Sequence, residues 1–322
     1  MTDLKQPDSS PDMWEREALE KLLHATLTEQ RRSRKWGNFF KGLIFLYLFL
    51  TLFAVSGWFS SGDGLQTSGP HTALIDLKGV IDSDGSASAE KINASLLQAF
   101  KDKNTAGVIL RINSPGGSPV QAGYMNDEIK RLRKLYPTIP IYAVVTDICA
   151  SGGYYVAVAT DKIFVDKASL IGSIGVIMDG FGFTGLMEKL GVERRSLHAG
   201  DNKNFLDPFA PLKPEHVQQA KAMLDQVHQQ FITVVKSGRG DRLHETPDMF
   251  SGLVWSGEEG VKLGLADAMG SADYVAREII KAPEIVDFTT KDNIAERLAK
   301  KIGAGATEAA GTWLTRSYFG LQ

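Results

Sequence analysis

Cysteine is almost absent: the 322 residues contain one, Cys149. A single thiol cannot close an intramolecular disulfide, and a cysteine-rich metal site is excluded. Histidine is sparse as well. The six present (His24, His71, His198, His216, His228 and His244) show no close metal-binding spacing. Neither a metal nor another cofactor is therefore expected. A dominant charge is missing too: 36 Lys and Arg stand against 38 Asp and Glu, for a net charge of −2. Nothing in that balance points to a nucleic-acid partner. No internal repeat is visible. Chemistry has to be sought in serine, lysine, aspartate and backbone groups.

One long apolar run is present. Residues 39–59 read FFKGLIFLYLFLTLFAVSGWF, with Lys41 the only charge. As a helix, the stretch after Lys41 is about long enough to cross a ~30 Å hydrocarbon core. It is apolar on every face, and Trp58 stands at its end like an interface anchor. Arg31, Arg32, Arg34, Lys35 and Lys41 come at or before its start. The positive-inside rule then places the N-terminus in the cytoplasm and everything after residue 59 across the membrane, as expected for a bacterial inner-membrane protein. Ala54-Val55-Ser56 loosely matches a signal-peptide cleavage site. The charged segment before it, about forty residues, is longer than a secretory n-region. An uncleaved signal anchor at 39–59 is expected. It follows a cytoplasmic segment (1–38) in which Leu19, Leu22, Leu23 and Leu27 mark an amphipathic helix. A Gly/Ser-rich linker occupies 60–71.

The folded domain is expected over 72–282. Apolar runs predict strands at 72–81, 107–112, 141–147 and 162–166, separated by helical periodicity at 89–101 and 120–135. This alternation predicts an α/β domain with a largely parallel sheet. A long helix should run from Pro214 to near Gly238, with shorter ones at 257–263 and 271–281. The tail, 283–322, is less regular, with a charged helical stretch at 293–302.

Two glycine-rich turns follow apolar strands. The segment DICASGGYYVAVAT puts Ser151 at or near a helix start, where unpaired N–H groups and the positive dipole end would stabilise an oxyanion. The segment NSPGGSPVQAG offers a second strand-to-helix turn with exposed backbone N–H groups. Each alone reads equally well as an ordinary cap or turn. A serine nucleophile needs a base, and both His198 and Lys203 lie in the region that could supply one. Lysine ordinarily titrates near pH ~10.4, so it serves as a base only where burial lowers that value. The residues leave this choice open.

An ordered set of motifs goes further: LKGVI near Leu77, INSPGG at 112–117, ASGGYYVAVATDKI at 150–163, GSIGVI at 172–177, GDNKNFLDPFAP at 200–211, Arg239-Gly240 and WSGEEGVKLGLAD at 255–267. Over about 72–278 the chain resembles the signal peptide peptidase A family in its short, single-domain bacterial form. The resemblance implies a Clp-protease/crotonase-like spiral of ββα units. It implies Ser151 as nucleophile, Lys203 as general base and Ser173 as the residue that orients Lys203. It also implies an oxyanion hole from Gly117 or Ser118 with Gly152. Partners would be signal peptides and other apolar peptides, and a homo-oligomer whose Ser and Lys meet across protomers. One departure stands out: the residue before the lysine, often Tyr in the family, is Asn202. An apolar specificity pocket is expected, with Val120, Val176, Met178 and Phe205 as candidate lining. The competing readings are a crotonase-fold acyl-transfer enzyme, an inactive peptide-binding membrane scaffold, a protease with His198 as base, and Cys149 as nucleophile.

Overall fold

The computed structural model describes residues 20–21, 34–51 and 69–290. Residues 34–51 are helical. Among the described residues no helix is long and apolar enough to cross a membrane. Residues 52–59 of the expected anchor, the linker up to 68 and the charged stretch at 293–302 lie outside the described residues.

Residues 69–290 form a mixed α/β fold around one sheet, parallel in every pairing but one. The sheet path is β6-β5-β3-β2-β1-β8. Its centre comprises β1 (His71–Lys78), β2 (Thr105–Ser114) and β3 (Ile141–Ala150), linked by α1 (Ala89–Lys101) and α2 (Pro119–Leu135). The three strands are rich in β-branched and aliphatic residues because both faces are covered. Ile75, Leu77, Val108, Leu110, Ile112, Ile141 and Ala143 are all fully buried. The helices contribute Ile92, Leu96 and Phe100 from α1 and Met125, Ile129 and Leu132 from α2, at the spacing that places them on one face. The expected α/β class with a parallel-rich sheet is what is found. The single antiparallel pair is β5 (Leu170–Gly172) with β6 (Val254–Ser256).

The sheet forks at β3. Tyr142–Val144 pair with β4 (Lys162–Val165), whereas Ile148–Ala150 pair with β5. On the other flank Ile112 aligns with Val145 and Ser114 with Cys149, so β3 carries two extra residues between these pairs. The bulge is pinned by side chains. Asn113 Nδ2 donates to Asp147 Oδ2 at 2.6 Å, and Ser169 Oγ donates to the Thr146 carbonyl at 2.6 Å. Bulges of this kind re-aim a strand near functional sites. A strand expected to end near residue 147 thus continues to Ala150 in a new direction.

After β3 come α3 (Gly152–Ala157) and, beyond β5, α4 (Thr184–Leu190) and the long α5 (Pro214–Arg239). Later elements are α6 (Gly257–Lys262), β7 (Ala268–Met269) and α7 (Ala272–Tyr274). The helix expected over 271–281 is α only at its start; Val275–Ile280 is a wider π turn. The tail begins as β8 (Ile285–Asp287), which pairs with β1. Thr289 Oγ1 accepts the Asp76 N–H at 2.9 Å, which ties this strand end to β1.

One buried ion pair locks α5 to the C-terminal segment. Arg239 is 2% exposed. Its Nη1 meets Asp267 Oδ2 at 2.8 Å and its Nε donates to the Gly264 carbonyl at 2.7 Å. Burial alone would push the Asp267 carboxyl up, but the hydrogen-bonded Arg239 guanidinium, the Ile163 N–H and Arg242 hold it below the ordinary carboxylate range. Tyr154 of α3 reaches the same segment, its hydroxyl donating to the Leu265 carbonyl at 2.8 Å. Arg239→Met would strand Asp267 without its main partner. The expected loss is about 3 kcal/mol, or roughly 6–12 °C in Tm, measured by thermal unfolding.

Candidate active site

The site is built where β3 ends. Ala150 still pairs with Gly172, so the chain has one residue in which to turn into α3. That residue is Ser151, at φ 50° and ψ −122°. A side chain in this region costs about 1–3 kcal/mol and persists only where the surroundings hold it. Here they do. The Ser151 N–H donates to the Gly172 carbonyl at 2.9 Å, and its own carbonyl accepts the Tyr155 N–H at 2.9 Å. The hydroxyl caps no helix N–H. It is left at a strand-to-helix corner, the device that α/β-hydrolases use to present a nucleophilic serine.

The second glycine turn packs directly on this corner. A Cβ on Gly116 would lie 2.7 Å from the Gly152 nitrogen, 2.8 Å from Ser151 Cβ and 2.9 Å from the Ala150 carbonyl oxygen. Only glycine allows that approach, and Gly116 and Gly117 both have positive φ. Gly117 forms a parallel bridge with Ile81 in which Ile81 makes both bonds: its N–H to Gly116 and its carbonyl to the Ser118 N–H, each 2.8 Å. The Gly117 N–H is left out of that bridge, and a Cβ on Gly152 would stand 3.3 Å from the Gly117 nitrogen. Gly152 opens α3, where no preceding carbonyl is in place for its N–H. The Gly117 and Gly152 nitrogens therefore lie close together beside Ser151, and backbone donors placed there would suit a developing oxyanion. Ser118, the third expected donor, is occupied: its N–H serves Ile81, and its hydroxyl accepts from the Gln121 N–H at 3.4 Å as the N-cap of α2.

Buried Ser114, given no role by the sequence motifs, organises the turn. Its hydroxyl donates to the Gly79 carbonyl at 2.6 Å and accepts the Gly116 N–H at 3.1 Å. Ser-Pro-Gly is the signal for such a role, since a serine before a turn can bond its own backbone two residues on.

A cavity of about 120 Å³ opens at Ser151. Pro119, Ala122, Tyr155, Val176 and Ile177 line it, with Val227, Gln230 and Phe231 from α5. The Tyr155 and Phe231 rings lie 5.2 Å apart. Burial, with Asp127 nearby, raises the Tyr155 phenol above its ordinary range, so the ring stays neutral. Of the expected lining residues only Val176 is there. Val120 projects from the outer face of α2, Met178 is about half exposed, and Phe205 packs on His216 with ring centroids 5.1 Å apart. The lining from α5 was legible only as the apolar pair Val227 and Phe231, four residues apart on one helix face. Clefts of about 570 and 610 Å³ elsewhere among the described residues hold neither Ser151 nor the glycine turns.

Ser173 lies one residue beyond the Ala150–Gly172 pair, as Ser151 does, and shares its positive φ, at 49°. The two serines thus follow the last register pair of neighbouring strands, although Ser173 does not line the Ser151 cavity. Lys203 is not with them. It sits on a turn at 201–206, is exposed, and is absent from the cavity lining, as is His198. Cys149 is fully buried, and burial pushes its thiol well above the ordinary range, so it has no thiolate to offer.

The family model for peptidase family S49 matches residues 133–285. The chain is 30% identical over 223 residues to a provisionally named signal peptide peptidase SppA of Enterococcus faecium, which covers 67% of this chain and 64% of that protein. It is 32% identical over 200 residues to the chloroplastic serine protease SPPA of Arabidopsis thaliana, covering 62% of this chain and 29% of that one. A third similarity, 45% over 175 residues, is to part of the Na(+)/H(+) antiporter NhaA of Brucella melitensis: 54% of this chain, 24% of that protein. The chain thus spans 24–64% of the length of these relatives.

Gly116→Ala tests the contact between the two turns. The new methyl would push Ser151 and Gly152 away from Gly117. Labelling of Ser151 by a fluorophosphonate, followed by mass spectrometry, should slow by about 10²-fold.

Proposed function

Since this chain belongs to the signal peptide peptidase A family, within peptidase family S49, we propose that it is a serine endopeptidase with Ser151 as nucleophile and Lys203 as general base. The observation that carries this reading is the Ser151 corner: an uncapped hydroxyl at the mouth of an apolar cavity, beside the free N–H groups of Gly117 and Gly152. In the first step Ser151 Oγ attacks the scissile carbonyl while the Lys203 amine takes the hydroxyl proton. The oxyanion forms between the two glycine N–H groups, and the lysine returns the proton to the leaving amine. Ser173 would accept or donate a hydrogen bond to hold the amine in line. The apolar walls suit apolar side chains, as in signal peptides and other membrane-derived segments.

Lys203 would arrive from a second copy of the chain. It is exposed, and the 177–212 segment that carries it is rich in unburied apolar groups: Ile177, Phe181, Leu190, Leu197 and Leu212 are all at least 66% exposed, and α4 buries none of its residues. An apolar surface of this kind marks an interface. Docking against a neighbour would also strip water from the amine and favour its neutral form. The strand–helix alternation, with β3 shared between two branches, supports the Clp-protease/crotonase-like spiral for each protomer. Residues 39–59 would tether the enzyme to the bilayer, with residues 1–38 cytoplasmic and 72–282 on the outer side of the bacterial inner membrane. Tethering raises the local concentration of membrane-borne substrate without any new contact.

The test is hydrolysis of an apolar peptide by the full chain and its variants in detergent. Ser151→Ala and Lys203→Ala should each lose at least about 10³-fold in kcat, while His198→Ala keeps wild-type activity. Mixing the two inactive chains should restore activity if the pair forms between copies. Full activity in Lys203→Ala would remove lysine from the mechanism.

A further inference from the structure

Lys203 stands on a turn anchored just past its C-terminal end, where Arg194 pairs with Asp207 and the Phe183 N–H donates to the Pro208 carbonyl at 2.7 Å. Its own bonds are local: Lys203 N–H to Gly200 at 3.1 Å, Phe205 N–H to Asn202 at 3.1 Å and Asp207 N–H to Asn204 at 3.2 Å. Leu206, at φ 50°, occupies the left-handed region without being glycine. Such a residue needs an external tie to stay there.

The tie comes from His216 in the first turn of α5, where it is 4% exposed. Its Nδ1 lies 3.3 Å from the Leu206 nitrogen. A backbone N–H only donates, so Nδ1 accepts, and the proton of the neutral ring is on Nε2. Nε2 then donates to Asn202 Oδ1, 3.2 Å away. The ring also packs on Phe205, at 5.1 Å between centroids. Both ring nitrogens are used, and they grip the chain on either side of Lys203, at 202 and 206.

We infer that His216 is a positioning residue that sets where Lys203 is presented. This rests on the reading of Lys203 as the general base. It also accounts for Asn202, whose amide oxygen accepts the hydrogen bond of the buried ring N–H and closes the clamp on the side next to Lys203. His216 does not line the Ser151 cavity of its own protomer, and both of its ring nitrogens are engaged by the turn. Misplacing a catalytic group by about 1 Å can cost on the order of 10²-fold in rate.

The experiment uses the full chain in detergent, with steady-state kinetics on an apolar peptide and amide hydrogen exchange read by mass spectrometry. His216→Phe keeps the ring packing and removes both bonds. His216→Asn retains an acceptor for the Leu206 N–H. Asn202→Ala removes one bond and leaves the ring. His216→Phe should lower kcat by roughly 10- to 100-fold with KM within about twofold, and His216→Asn and Asn202→Ala should fall between it and wild type. Exchange should rise at 202–206 in His216→Phe and stay unchanged in β3. Wild-type kcat in His216→Phe would overturn the inference. So would exchange that rises equally in β3 and in the turn, or an Asn variant no better than Phe. Lys203→Ala, measured alongside, separates the two ideas: if it remains active the base assignment fails, while exchange at 202–206 still reports whether His216 holds the turn.

Discussion

A parallel strand that keeps its neighbour up to its last residue leaves no loop in which to turn. β3 is in that position: Ala150 is paired with Gly172, and α3 begins at Gly152. All of the reversal falls on Ser151, which must take a left-handed φ. The same constraint frees its hydroxyl from capping and lifts it out of the sheet. The Gly116-Gly117 turn can then approach, because no side chain intervenes. The strain at Ser151 is balanced by hydrogen bonds from both flanks, and those bonds exist because the fork in β3 gives its upper half a partner of its own, β5.

Behind the corner lies a layer of buried polar contacts. Tyr154 reaches the Leu265 carbonyl, Arg239 meets Asp267, and Asn126 Nδ2 donates to the Tyr155 carbonyl at 2.7 Å. Tyr154 ties α3 to the 264–267 segment, Arg239 ties that segment to α5, and Asn126 ties α3 to α2. A helix of only six residues has little stability of its own. Its position is set by these neighbours, and the position of Ser151 is set with it.

Much of the fold was legible because the signals are local. The apolar runs at 107–112, 141–147 and 162–166 and the periodicity at 89–101 and 120–135 match β2, β3, β4, α1 and α2 to within a few residues. Pro214 marked the first turn of α5 correctly. The short strands β5, β6, β7 and β8 were missed, since two or three residues carry no period and form only because a partner strand is already there. The cavity was half legible. Val176 follows a glycine motif, but Tyr155, Gln230 and Phe231 come together only after α5 packs across α3.

The sequence by itself determined the class of the fold, the two glycine turns and the serine between strand and helix. Each depends on side-chain period or on the absence of a Cβ, which are properties of neighbouring residues. The tertiary structure decided which donors remain free, since the Ser118 N–H is consumed by Ile81 and the Gly117 N–H is not. It also decided that Ser151 and Ser173 follow one register pair at the ends of β3 and β5, while Lys203 is exposed on a turn gripped by His216. Strand register and the packing of distant elements settle those placements, and a linear spacing of 52 residues between Ser151 and Lys203, from 203 − 151, carries no information about either.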